Sequence, residues 1–190
     1  MKPVFAIAAL CAAAVATSAW AALPTGAKAP DITAKAYENG NASNFKLSDA
    51  LKKGPVVLYF FPGAFTPGCN VEAQQFAAAI DKYKAAGAQV VGVTGGFGNS
   101  ARKSTATAEG GLDEAVRDFS KEHCNGKFPV AAVSGDTIKA YNVELTQRPG
   151  WSNRTSYVID KSGSIVMSFE NLGPDGHVDK TLAAVQALKK

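Results

Sequence analysis

Cysteine and histidine are scarce in this chain, with three and two in 190 residues. So few cysteines exclude a disulfide-dense miniature scaffold, and two histidines speak against a Cys/His zinc site. An excess of one charge is missing too. Twenty Lys and Arg stand against 16 Asp and Glu, a net charge of +4, and the two signs alternate along the chain. That pattern makes no footprint for nucleic acid. No internal repeat, linker or second domain shows. The 46% of hydrophobic residues exclude a disordered chain and suffice for the core of one ordinary domain.

The longest apolar run, residues 4–16, follows Lys2 and leads through Thr17 and Ser18 to Ala19-Trp20-Ala21. A positive start, a run too short for a bilayer and a small-x-small end make the layout of a secretory signal peptide. Leu10 stands before Cys11 where a lipid-attached cysteine needs a small residue. The expectation is a cleaved segment at 1–21, a single domain at 22–190, and a periplasmic or secreted protein with no membrane attachment. Cleavage leaves two thiols, Cys69 and Cys124, where disulfides persist. They form either a structural bridge or a redox couple.

Along the remainder, Asn39-Gly40-Asn41 between extended stretches signals a hairpin. Residues 48–53 suit a short helix stopped by Gly54-Pro55. The run Val-Val-Leu-Tyr-Phe-Phe at 56–61 reads as a central strand buried on both faces. After a loop at 62–68, Phe76, Ile80 and Tyr83 recur at helical spacing up to Gly87. Residues 89–94 make a second buried strand, and the Gly/Ser/Ala/Thr-rich stretch 95–111 a long loop. A helix at 112–123, a strand at 128–133, a helical turn at 137–141, a hairpin of 156–159 with 165–169, and a helix at 179–188 complete the chain. The order describes an α/β fold with a central mixed sheet flanked by helices.

Chemistry concentrates where the first buried strand gives way to the next helix. Pro62, Thr66 and Cys69 lie in Pro-Gly-Ala-Phe-Thr-Pro-Gly-Cys, with the cysteine at the helix start. Free N–H groups and the positive end of the helix dipole favour a thiolate there, and the thiolate is the nucleophile. The Thr66 hydroxyl is placed to face the sulfur or a bound oxygen atom, or to cap the helix, and Pro62 to shield the sulfur from water.

The pattern Pro62-x-x-x-Thr66-x-x-Cys69 resembles the signature of peroxiredoxins. The likeness runs from Ala29-Pro30-Asp31 through residues 56–60 to Glu72 and Phe76, and returns at residues 153–160 around Arg154. It covers nearly the whole mature chain and is nearest to the Q-type, or bacterioferritin-comigratory, branch. The resemblance implies a thioredoxin-like fold and a thiol-dependent peroxidase acting on hydrogen peroxide and organic hydroperoxides. It makes Cys69 the peroxidatic cysteine, oxidised to a sulfenic acid. It assigns Thr66 and the Cys69 backbone N–H to the peroxide, Arg154 to the thiolate and departing oxygen, and Glu72 to holding the arginine.

Many Q-type members carry the resolving cysteine five residues after the first, where this chain has Gln74. By resemblance to members that resolve from the later helix, Cys124 would close an intramolecular disulfide with Cys69. An inert Cys124 in a one-cysteine enzyme, an intermolecular bridge, and a binding or holdase module with a structural Cys69–Cys124 bridge are the alternatives. A thioredoxin-like reductase is disfavoured, since Glu72 stands where Cys-x-x-Cys needs its second thiol. The expected enzyme needs no metal or bound cofactor, only an external thiol, either a thioredoxin-like protein or a small thiol. It is a monomer or homodimer. Phe65 and Trp151 are aromatics near the site that pack into the core by default or, if exposed, form a substrate wall or a dimer contact; His123 is a partly exposed histidine, and His177 has no role.

Overall fold

The computed structural model describes residues 22–98 and 111–189, so the signal-like segment and most of the 95–111 loop lie outside the described residues. Strands β1 (Thr33–Glu38) and β2 (Asn41–Lys46) pair antiparallel across a turn in which Asn39 and Gly40 have φ of 48° and 75°. Two consecutive left-handed residues are what a tight hairpin demands, and Asn-Gly supplies them at little steric cost. Helix α1 (Leu47–Lys53), strand β3 (Val56–Phe60), helix α2 (Pro67–Ala85) and strand β4 (Gln89–Thr94) follow. Helix α3 (Gly111–Glu122), strand β5 (Val130–Ala132) and helix α4 (Gly135–Ala140) come next. The chain continues through β6 (Glu144–Leu145), β7 (Arg148–Ser152), β8 (Thr155–Ile159), β9 (Ile165–Glu170) and α5 (His177–Ala187).

Seven strands form one mixed sheet in the order β2-β1-β5-β4-β3-β8-β9. β3 runs parallel to β4 and antiparallel to β8, and β4 runs parallel to β5. The centre of the sheet is therefore covered on both faces, which is why residues 56–60 are apolar without alternation. Val57, Tyr59 and Phe61 enter a core with Phe76, Ile80 and Tyr83 of α2, Val116 and Phe119 of α3, and Val185 of α5. Val56, Leu58 and Phe60 point the other way, into a core with Leu47 and Leu51 of α1 and Ile138 of α4. All of β3 is buried, and each such side chain contributes roughly 1.5–3 kcal/mol through burial. The Tyr83 hydroxyl lies 2.6 Å from Thr181 Oγ1 and donates to the Val178 carbonyl at 3.0 Å, tying α2 to α5.

The structure departs from the sequence reading most clearly in three places. β5 is three residues long because Pro129 has no N–H for the ladder, although its carbonyl still accepts from Gly92 at 3.0 Å. α5 begins at His177, behind a left-handed Gly176 at φ 87°. The two-stranded β6–β7 hairpin was not anticipated, since Pro149 and Gly150 inside Arg148–Ser152 erase any strand signal. No helix among the described residues is long and apolar enough to cross a membrane.

Candidate active site

The loop at residues 62–66 is pinned before it reaches the helix. Ala64 N–H donates to the Gly96 carbonyl at 3.0 Å and Gly98 N–H to the Ala64 carbonyl at 2.7 Å, a single bridge beside the sheet. Gly63 and Gly96 are obligatory: a Cβ at either would stand 2.8 and 2.5 Å from atoms of the Trp151 ring. Trp151 is thus a half-buried wall of the loop rather than an exposed aromatic, with the Arg148 guanidinium 4.3 Å above its ring. Phe65 is also half-buried, at a left-handed φ of 62° that a bulky residue adopts only under constraint. Its ring meets Phe119 at 5.6 Å and His123 at 5.3 Å. His123 is partly buried as expected, and burial pushes its imidazole below the usual value.

Thr66 is the residue preceding α2, in extended conformation. Its hydroxyl donates to the Gly63 carbonyl at 3.0 Å and makes no cap to the helix. With its proton so committed, Thr66 Oγ1 faces any further partner as an acceptor. Pro67 opens the helix without an N–H, leaving the amides of Gly68 and Cys69 in a first turn that has no carbonyl to bond. Cys69 stands third in α2 and is only 1% exposed.

Arg154 enters this turn from immediately before β8. Its Nη2 donates to Cys69 Sγ at 3.5 Å, Nε to the Leu172 carbonyl at 3.0 Å, and Nη1 to Glu72 Oε2 in an ion pair. Every arm of the guanidinium has a different anchor, so its plane is fixed. Arg154 is only 4% exposed. Gly68 makes the approach possible: a Cβ there would lie 3.0 Å from Arg154 Nη2. Sequence reasoning missed this glycine, although its place between Pro67 and Cys69 is a signal that something passes close to the backbone.

Glu72 lies one turn beyond Cys69 and is fully buried. Burial pushes its carboxyl up to about 8, against the pull of Arg154. For Arg154, burial works against the charge, but Glu72 and Cys69 outweigh it and raise the guanidinium further. His177 was given no role from sequence, yet it is buried against Glu72. Cys124 is different in kind. It is a free thiol two residues past α3, fully buried in the same apolar core as Cys69, and burial pushes its thiol well up. Pro62 is half-buried beside the Trp151 wall. A cleft of about 550 Å³, lined by Glu144, Thr146, Gln147, Pro149, Asn153 and Leu172, includes none of the predicted site residues.

The chain as a whole has counterparts among known proteins. The sequence profile of the AhpC/TSA family matches residues 25–168. The chloroplastic peroxiredoxin Q of Sedum lineare is 31% identical, over 90% of this chain and 83% of its own. The chloroplastic 2-Cys peroxiredoxin BAS1 of Hordeum vulgare is 32% identical, over 86% and 74%. Among solved structures, the peroxidoxin BcpB of Mycobacterium tuberculosis superposes with a TM-score of 0.71 at 24% identity, covering 87% of this chain and 98% of that one. The chain belongs to the AhpC/TSA family and is a peroxiredoxin, a thiol-dependent peroxidase with the thioredoxin-like fold.

Proposed function

We propose that Cys69 is the peroxidatic cysteine and that Arg154, Thr66 and the first turn of α2 drive its reaction. The observation that carries this reading is the Arg154 guanidinium, 3.5 Å from Cys69 Sγ and fixed on two other sides. A fixed positive group beside the sulfur favours its anionic, nucleophilic form. The sulfur attacks one peroxide oxygen. An S–O bond forms as the O–O bond breaks, and the departing oxygen takes a proton to leave as water or an alcohol. Cys69 is left as a sulfenic acid. Thr66 Oγ1 accepts from the peroxide O–H, while Arg154 and the amide of Cys69 meet the charge that develops on the departing oxygen. These donors are in place before the reaction, so little reorganisation is needed. Pro62 keeps bulk water from the sulfur.

Cys124 is proposed to resolve the sulfenic acid: its thiol attacks Cys69 Sγ, a disulfide forms and water leaves. Its full burial means the segment after α3 has to open before the sulfurs meet in bonding geometry. An external thiol then reduces the bridge by exchange. Residues 1–21, with Lys2, the apolar run and Ala19-Trp20-Ala21, support export to the periplasm or beyond. The test is mass spectrometry after one equivalent of peroxide on the wild type and on Cys124→Ser. A bridged peptide pair in the wild type, replaced by sulfenic or sulfinic Cys69 in the variant, is the expected result. Free Cys124 beside oxidised Cys69 in the wild type would overturn the resolving step.

A further inference from the structure

One oxygen of Glu72 holds Arg154; the other, Oε1, is buried without a hydrogen-bond partner. It lies 3.6 Å from Nδ1 of His177, a side chain that is itself fully buried. His177 Nε2 is 3.0 Å from the Asn171 carbonyl, which can only accept, so the ring carries its proton there. Nδ1 is then the acceptor, and it receives the Ser156 hydroxyl at 2.8 Å. An ionised Oε1 would therefore face, in a dry place, an Nδ1 whose lone pair is taken up by Ser156, and would find no donor there. One proton held by the pair, on Oε1 or on Nδ1, removes the conflict. Burial disfavours charge on both partners, pushing Glu72 up and His177 down.

The titratable groups that face the pair are few. Arg154 comes from the start of β8, Cys69 from one turn back on α2, and the buried Tyr59 phenol from β3. β9 offers the ring of Phe169, 4.9 Å from the imidazole, with Lys180 Nζ of α5 5.1 Å from that ring's centroid. On α5 itself Thr181 donates to the His177 carbonyl at 2.7 Å, fixing the helix start, and Asp179 acts on Tyr83.

We propose that His177 is a positioning residue of this active site: with Glu72 it holds one exchangeable proton, and that proton sets how much of the Arg154 charge is directed at Cys69. The inference rests on Cys69 being the reactive thiol. With the proton in place Glu72 is neutral, and the Arg154 charge is left to the Cys69 sulfur. With the proton gone, the Glu72 carboxylate competes for the same guanidinium. Protonation of the pair and ionisation of Cys69 thus favour each other. Oxidation of Cys69 to a neutral sulfenic acid removes the competing anion and favours release of the proton from the pair. The device links the redox state of one sulfur to a buried proton about two side chains away.

The test uses the full protein in a Cys124→Ser background, without peroxide, so it does not depend on peroxidase turnover. Thiolate absorbance is followed against pH, together with the ring ¹⁵N shifts of His177 and the carboxyl ¹³C shift of Glu72. The expected profile has two inflections, the second shared by Cys69 and the Glu72–His177 pair. His177→Asn cannot titrate but can turn an amide N–H toward Oε1, and leaves a single inflection. His177→Gln serves if the Asn variant does not fold. The rate of Cys69 alkylation should differ by at least about fivefold between the two arms of the wild-type profile, the lower end of ordinary coupling between sites. A residue that only packs would lower the melting temperature and leave the inflections alone. Superimposable profiles, or resonances of the pair that ignore the state of Cys69, overturn the proposal. If the linkage appears and peroxide still fails to oxidise Cys69, the peroxidase chemistry fails and the linkage stands.

Discussion

Cys69 and Cys124 are equally hidden, at 1% and 0% exposure, and both belong to the apolar core that α2, α3 and α5 close over the sheet. Depth therefore does not distinguish them; their neighbours do. Cys69 sits in the first turn of α2, where amides are unpaired, with Arg154 reaching its sulfur across Gly68. Cys124 follows the end of α3, its backbone N–H bonded to the Phe119 carbonyl at 3.3 Å, and burial, only partly offset by the Tyr59 phenol, pushes its thiol up. A buried sulfur without a positive partner stays a thiol and behaves as a small hydrophobe. The same element thus plays two parts in one core because one copy has a cation and a helix start.

The most severe way to break the comparison is Cys69→Ser, which should lower peroxide turnover by at least about a thousandfold, since the nucleophile is gone. If Cys124 sustained turnover instead, the two sulfurs would have been misassigned. Arg154→Gln keeps Cys69 but removes the charge, and should cost roughly 10²–10³-fold in the rate of Cys69 oxidation measured by stopped flow. Gly68→Ala sharpens the point, because its Cβ intrudes on Arg154 Nη2 without touching the sulfur's chemistry. A loss of about tenfold in the same rate is expected, with thermal stability unchanged or slightly raised by the better helix former. Cys124→Ser should leave that first oxidation within about twofold of wild type, while a hydroxyl in an apolar site costs about 1–3 kcal/mol in urea unfolding.

Acid–base behaviour acts on stability rather than on the rate of oxidation. Glu72 has a folded-state value raised from 4.5 to about 8. Between those limits the folded protein binds the extra proton, so this contribution to stability is complete below the unfolded value and is lost as the pH rises toward about 8. His177 is shifted down and acts in the opposite sense, adding stability as the pH rises through the ordinary histidine range. Urea midpoints measured across that interval should fall less in Glu72→Gln than in the wild type.

Much of the fold was legible because its signals are local. The unbroken run at 56–60 announced a strand covered on both faces, and Asn39-Gly40 a hairpin turn. The β6–β7 hairpin was not legible: it is short, contains Pro149, and exists because Trp151 packs over Gly63 and Gly96 from far along the chain. The site divides in the same way. Cys69, Thr66 and Pro62 stand within eight residues, and their motif could be read directly. Arg154 was found only through the family resemblance, because no spacing places it 85 residues away beside the sulfur. Gly68 and His177 escaped because each acts through a contact that folding creates.

The central claim is that the Arg154 field, and not exposure, selects which sulfur meets peroxide. It is tested most directly by treating the fully reduced protein with less than one equivalent of hydrogen peroxide in the presence of a sulfenic-acid trap, and mapping the adduct by mass spectrometry in the wild type and in Arg154→Gln. The adduct should appear on Cys69 and not on Cys124 in the wild type, and on neither in the variant over the same interval. An adduct on Cys124, or undiminished trapping at Cys69 without the arginine, would contradict it.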